Sequence, residues 1–96
     1  MRRAAKVDAN QEQIVSALRA AGVLVLSLAA LGKGVPDLLC AFHGRLVLLE
    51  VKDGNKPPSA RKLTPDQEEF HKGWAGVPLH IVESPWDALK AMGCVL

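Results

Sequence analysis

The chain has 96 residues, 49% hydrophobic and 23% charged, with a formal net charge of +2. This length suits one domain over 1–96, because a core of this size already buries only about two-thirds of the unfolded surface. The composition excludes a disordered tail or a fibrous repeat, and so small a charge does not by itself point to nucleic acid, which needs a concentrated basic face.

The N-terminus is basic (Arg2, Arg3, Lys6), but Asp8, Asn10, Gln11 and Glu12 follow where a signal peptide would carry its apolar core. A first helix is expected from about Asp8, which caps the first turn with Gln11 reaching back, to just before Gly22. Its apolar face is Ile14, Ala17, Leu18 and Ala21. Val23 to Leu28 reads as a strand, and Gly32-Lys33-Gly34 as a flexible turn. The apolar stretch from Val23 to Leu31 is broken by Ser27 and is far short of the ~20 residues that span a bilayer. A cytoplasmic protein without a membrane anchor is therefore expected.

A second strand should run from about Val35 to Phe42. His43-Gly44 is a two-residue turn signal, so this strand pairs antiparallel with a third, Arg45 to Lys52. Leu46 to Leu49 is apolar at consecutive positions, the pattern of a strand covered on both faces near the centre of a sheet. Residues 53–62, with Gly54, Pro57, Pro58 and Ser59, read as a long irregular loop. Thr64 caps a second helix, with Pro65 at its first position and Gln67 as the reciprocal cap, ending near Ala75-Gly76. Val77 to Val82 is a fourth strand. Ser84 caps a last helix that stops at Gly93. Strands interleaved with helices make the chain an α/β protein.

Glu50 and Lys52 are two residues apart on a strand, so both side chains share a face while Val51 points to the other. Charges at the end of an apolar central strand are costly to desolvate unless paired or bound to a cation. The plain alternative is a strand that stops where polar residues begin. With the turn at His43-Gly44, residues whose numbers sum to 87 face each other, which sets Asp37 against Glu50. Opposed carboxylates repel, and a divalent cation between them removes the repulsion. Hard carboxylate oxygens suit Mg2+ or Mn2+, and the Val51 carbonyl can add a ligand. Lys52 would then position the attacking water and offset developing phosphate charge.

Pro36-Asp37, followed 50 − 37 = 13 positions later by Glu50-Val51-Lys52, resembles the signature of the PD-(D/E)XK nuclease superfamily. Gly34-Val-Pro-Asp-Leu-Leu39, Leu49-Glu-Val-Lys52 and Leu63-Thr-Pro-Asp-Gln67, after a helix with Asp8-Ala-Asn-Gln-Glu12, are similar to the VRR-NUC family in its short phage and bacterial form. The resemblance covers nearly the whole chain. It implies a restriction-endonuclease-like α-β-β-β-α-β core with a mixed central sheet and a C-terminal helix. It also implies Mg2+ or Mn2+ at Asp37 and Glu50, and Lys52 as catalytic lysine. By matched position it sets Glu12 of the first helix and Gln67 of the second near the metal. Glu12 has an alternative as a solvated helix residue, and Gln67 as the capping partner of Thr64. The family's Val-Arg-Arg motif is not found; the only Arg-Arg, Arg2-Arg3, is not preceded by valine.

Small members of this family look like Holliday-junction resolvases, which implies an endonuclease for branched DNA. One centre cuts one strand, so symmetric cutting calls for a homodimer. Lys56, Arg61 and Lys62 are candidate DNA contacts, with ordinary solvated loop charges as their alternative. His43, His71 and His80 lack the spacing of a zinc pair. His43 reads as a turn residue, the other two as surface. Trp74 and Trp86 read as core or interface, and Cys40 and Cys94 as reduced and structural. The rival functions are a DNA-binding accessory module that keeps the fold without catalysis, and a purely structural domain.

Overall fold

The computed structural model describes residues 8–95, so the basic cluster Arg2, Arg3 and Lys6 lies outside the described part. In chain order the elements are α1 (Gln11–Ala20), β1 (Leu24–Ser27), β2 (Leu38–Phe42), β3 (Arg45–Val51), α2 (Pro65–Gly73), β4 (Leu79–Val82) and α3 (Pro85–Ala91). The strands form one mixed sheet in the order β1-β2-β3-β4, antiparallel except for β4, which runs parallel to β3. This is the α-β-β-β-α-β core with a C-terminal helix expected from the sequence. No helix among the described residues is long and apolar enough to cross a membrane.

The hairpin sets the register. His43 and Gly44 have φ of 50° and 79°, the left-handed pair that a tight two-residue turn requires. The facing pairs then run from Leu38 with Leu49 to Phe42 with Arg45, every pair summing to 87 as the turn dictates. Odd-numbered β3 residues Val47, Leu49 and Val51 join Val25, Cys40 and Val82 in the core, against Ile14 and Leu18 of α1 and Ala88 and Met92 of α3. Burial pushes the Cys40 thiol up to about 11, so it serves as a packing residue, and both cysteines are free.

Several boundaries differ from the sequence reading, each for a local reason. The cap of α1 is Asn10 rather than Asp8, and its side chain makes no capping bond. Instead Asn10 Nδ2 donates to the carbonyls of Lys52 (3.1 Å) and Glu83 (3.0 Å), tying the start of α1 to the ends of β3 and β4. Ala21 is exposed, and Gln11 is buried beside Ile14 and Leu18. The second strand begins at Leu38 and not Val35, although the Asp37 carbonyl still accepts the Leu28 N–H at 2.7 Å. The 53–62 loop contains one 3-10 turn, Pro58–Arg61, which proline tolerates in its first turn. The second helix stops at Gly73, and the fourth strand starts at Leu79.

Asn10→Ala leaves two carbonyls unpaired and is expected to cost about 1–3 kcal/mol. The check is a lower urea midpoint at unchanged slope; an unmoved midpoint would show that the bridge contributes nothing.

Candidate active site

The pleat that sends odd β3 residues into the core sends Leu46, Leu48, Glu50 and Lys52 to the outer face. At the C-terminal end of that row, a cleft of about 370 Å3 opens between β3, the segment before β2 and the first turn of α2. Asp37, Glu50, Val51, Lys52 and Gln67 all line it. Asp37 and Lys52 are each 8% exposed and Glu50 only 1%, so three ionisable groups sit together almost out of water.

Their positions are fixed by hydrogen bonds. Asp37 Oδ2 accepts the Val51 N–H at 2.7 Å, which holds the aspartate across the end of the hairpin from Glu50. Lys52 Nζ donates to Gln67 Oε1 at 2.7 Å, and Gln67 Nε2 donates to Glu50 Oε2 at 3.2 Å. Gln67 Oε1 also accepts the Thr64 N–H at 2.9 Å, while the Gln67 N–H donates to Thr64 Oγ1 at 3.2 Å. Gln67 is therefore both the capping partner of Thr64 and a hydrogen-bond neighbour of Glu50 and Lys52. One side chain completes the capping box of α2 and, through the same amide, joins Glu50 to Lys52. The cap sets the direction in which α2 enters the site.

Glu50 is pushed up to about 9, first by burial and then by a hydrogen bond and like-charge repulsion from Asp37, with Lys52 opposing and Asp8 adding to the rise. Two carboxyl groups in hydrogen-bond contact out of water share a proton when no cation is near. This donor set fits a hard divalent ion, which would replace that proton and remove the repulsion. Among the described residues there is no group of three or more His, Cys, Asp or Glu side chains arranged for a metal. The set is two carboxylates, with the Val51 backbone alongside.

Glu12 is not brought to the cleft. It is exposed and lines a separate depression with Gln11, Val15 and Ser27. The acid that α1's entry presents to the cleft is Asp8, whose charge is felt at Glu50 and whose Oδ1 lies 3.4 Å from Lys56 Nζ. The sequence reading had assigned Asp8 to capping, but its main-chain carbonyl accepts the Gln11 N–H, leaving the carboxylate for the cleft. His71, read as surface, stands with Nε2 3.4 Å from Glu50 Oε1. Burial, and then the Lys52 charge, lower its pKa. Its spacing of four from Gln67 puts both on one helix face, the signal that would have found it. Of the loop cations, Lys56 lines the cleft. Arg61 is held by both oxygens of Glu83 at 3.1 and 3.2 Å, and Lys62 is exposed with no ion-pair partner among the described residues.

Comparison with known proteins agrees with this fold. A solved structure described as a VRR_NUC domain is similar to the chain, with a TM-score of 0.64 and 30% sequence identity over 86% of this chain and 89% of that one. No family model and no curated protein matches.

Proposed function

The chain belongs to the VRR-NUC family, which makes it a nuclease-type domain, and from this premise we propose that it is a metal-dependent DNA endonuclease, acting in the cytoplasm on branched DNA such as Holliday junctions. The observation that carries the reading is the pair of buried carboxyl groups, Asp37 and Glu50, beside the buried ammonium of Lys52 in an open cleft. A fold gains nothing in stability from such a set, since burying like charges together is costly.

Asp37, Glu50 and the Val51 carbonyl would hold Mg2+ or Mn2+. The ion would supply a Lewis acid for the scissile phosphate and a more acidic bound water. Lys52, fixed by Gln67, presents its ammonium to the attacking water and to the charge that grows on the phosphoryl oxygens. Gln67 keeps Lys52 and Glu50 in register, and Asp8 adds a third carboxylate at the cleft wall, in the role the sequence reading gave to Glu12. Lys56 at the cleft and the exposed Lys62 would meet the DNA backbone. Arg61 is committed to Glu83 and braces the loop. Two copies acting together would cut both strands of a junction.

The test is incubation of the protein with labelled four-way junction, flap and linear duplex in Mg2+, Mn2+ or chelator. Junction cleavage that needs the metal is expected. In parallel, millimolar Mg2+ or Mn2+ is expected to raise Tm by several degrees, as a ligand bound only to the native state must. Junction binding without cleavage in any metal would identify the accessory module instead.

A further inference from the structure

Helix α2 turns three residues inward. Gln67, Phe70 and His71 are half-buried at spacings of three and four, while Asp66, Glu68, Glu69 and Lys72 are exposed. Phe70 stacks on Trp74 at 4.9 Å and borders an apolar hollow with Leu46 and Leu48. The other two meet one group. Gln67 Nε2 donates to Glu50 Oε2 at 3.2 Å, and His71 Nε2 stands 3.4 Å from Glu50 Oε1. The polar part of the inward helix face is thus directed at a single carboxyl group, one side chain to each oxygen. For packing alone an apolar residue would serve better beside Leu46 and Leu48, because a polar ring taken out of water needs a partner. Asp37, Glu50, Lys52 and Gln67 line the cleft, and His71 does not. It reaches the cleft only through Glu50.

We propose that His71 is a positioning residue for the metal centre: its Nε2–H donates to Glu50 Oε1 and, with Gln67 on Oε2, fixes the plane of the carboxylate that would face the cation. The inference rests on the nuclease reading above and deepens it. The two oxygens of a carboxylate offer about four lone-pair sites, so one donor on each leaves a site on both for Mg2+ or Mn2+. Gln67 alone does not hold the group in one orientation, since a single contact leaves it free to turn about that bond. Its own oxygen is already taken by Lys52 and the Thr64 N–H. The capping box anchors the start of α2, and residues 67 and 71 follow about 6 Å apart along its axis. They therefore close on Glu50 from two sides. An ionised carboxylate draws an N–H donor in to about 2.7–2.9 Å, so the 3.4 Å contact has room to tighten once Glu50 has lost its proton.

The test compares the MnCl2 concentration that gives half of the metal-induced rise in Tm, measured without DNA. His71→Phe keeps a ring but removes the donor, and is expected to need about 10–100 times more Mn2+, the usual effect of losing an outer partner of a metal-binding group. His71→Gln should keep the parent's Mn2+ dependence, because its amide nitrogen lies as far along the side chain as Nε2. His71→Asn, whose nitrogen corresponds to Nδ1, should behave as His71→Phe does. In junction cleavage at limiting Mn2+, kcat should fall in His71→Phe with the KM for DNA unchanged. A His71→Phe protein with the parent's Mn2+ dependence, or a His71→Gln protein as impaired as His71→Phe, would overturn the inference. If His71→Phe loses its circular dichroism, the other two variants decide, and equal Mn2+ dependence in them would overturn it. A parent whose Tm responds to no metal removes this inference together with the nuclease reading; a responsive parent beside an unaffected His71→Phe protein removes this inference alone.

Discussion

Asp37→Asn is expected to abolish metal-dependent cleavage while leaving the metal-free protein at least as stable as the parent. The amide keeps an oxygen for the Val51 N–H but no longer opposes Glu50 with a like charge. Removing one carboxylate of such a site, or truncating Lys52 to alanine, should each lower the cleavage rate by at least 10²–10³, the cost of losing a preorganised electrostatic group. The metal-induced rise in Tm should disappear in Asp37→Asn, which a merely structural aspartate would not produce. The pH dependence supplies a further check. Glu50 is raised from 4.5 to about 9 in the folded protein, so the native state holds a proton that the unfolded chain has released over that interval. Stability in chelator therefore falls as pH rises between those values, and the slope should flatten in Asp37→Asn. Cleavage above one-tenth of the parent rate in either Asp37→Asn or Lys52→Ala would remove these residues from the reaction.

What the sequence discloses about this site is what short-range rules govern. A two-residue turn at His43-Gly44 has one register, so the facing of the Asp37 and Glu50 ends followed from spacing alone. The Thr64-Pro65-x-Gln67 cap fixed the start of α2 for the same reason. The consecutive apolar residues Leu46 to Leu49 also announced a strand covered on both faces, which the fold supplies at Leu48 but not at Leu46, 60% exposed. What was not legible depends on contacts distant in sequence. Asn10 gave up a cap to bridge Lys52 and Glu83, 42 and 73 residues away, and this moved the start of α1. Whether Asp8 or Glu12 reaches the cleft turns on that shift, because Asp8 then precedes α1 while Glu12 lies in its first turn. Likewise, no periodicity reveals that the Gln67 amide is shared between a helix cap and the Lys52-Glu50 pair.

Gly34→Ala, remote from any proposed metal ligand by function, is expected to damage the site as severely as a change within it. Gly34 has a φ of +79°, and a Cβ there would overlap the carbonyl of Asp66 and stand 2.8 Å from the Gln67 nitrogen. These are main-chain atoms in the first turn of α2, which have no rotamer to yield. Relief requires the helix start to move, and Gln67 moves with it, away from both Lys52 and Glu50. Left-handed strain of roughly 1–2 kcal/mol adds to an overpacking cost of about 1–3 kcal/mol. Tm should therefore fall by 10 °C or more in a chain of this size, with cleavage down at least tenfold. Gly44→Ala provides the control, since Gly44 shares the φ of +79° but has no atom within 4 Å of an added Cβ. It should show the strain alone, a few degrees in Tm with cleavage retained. If the two variants behave alike, the close approach of Gly34 to α2 is not what positions Gln67, and the Gly32-Lys33-Gly34 segment is the flexible turn that its composition suggests.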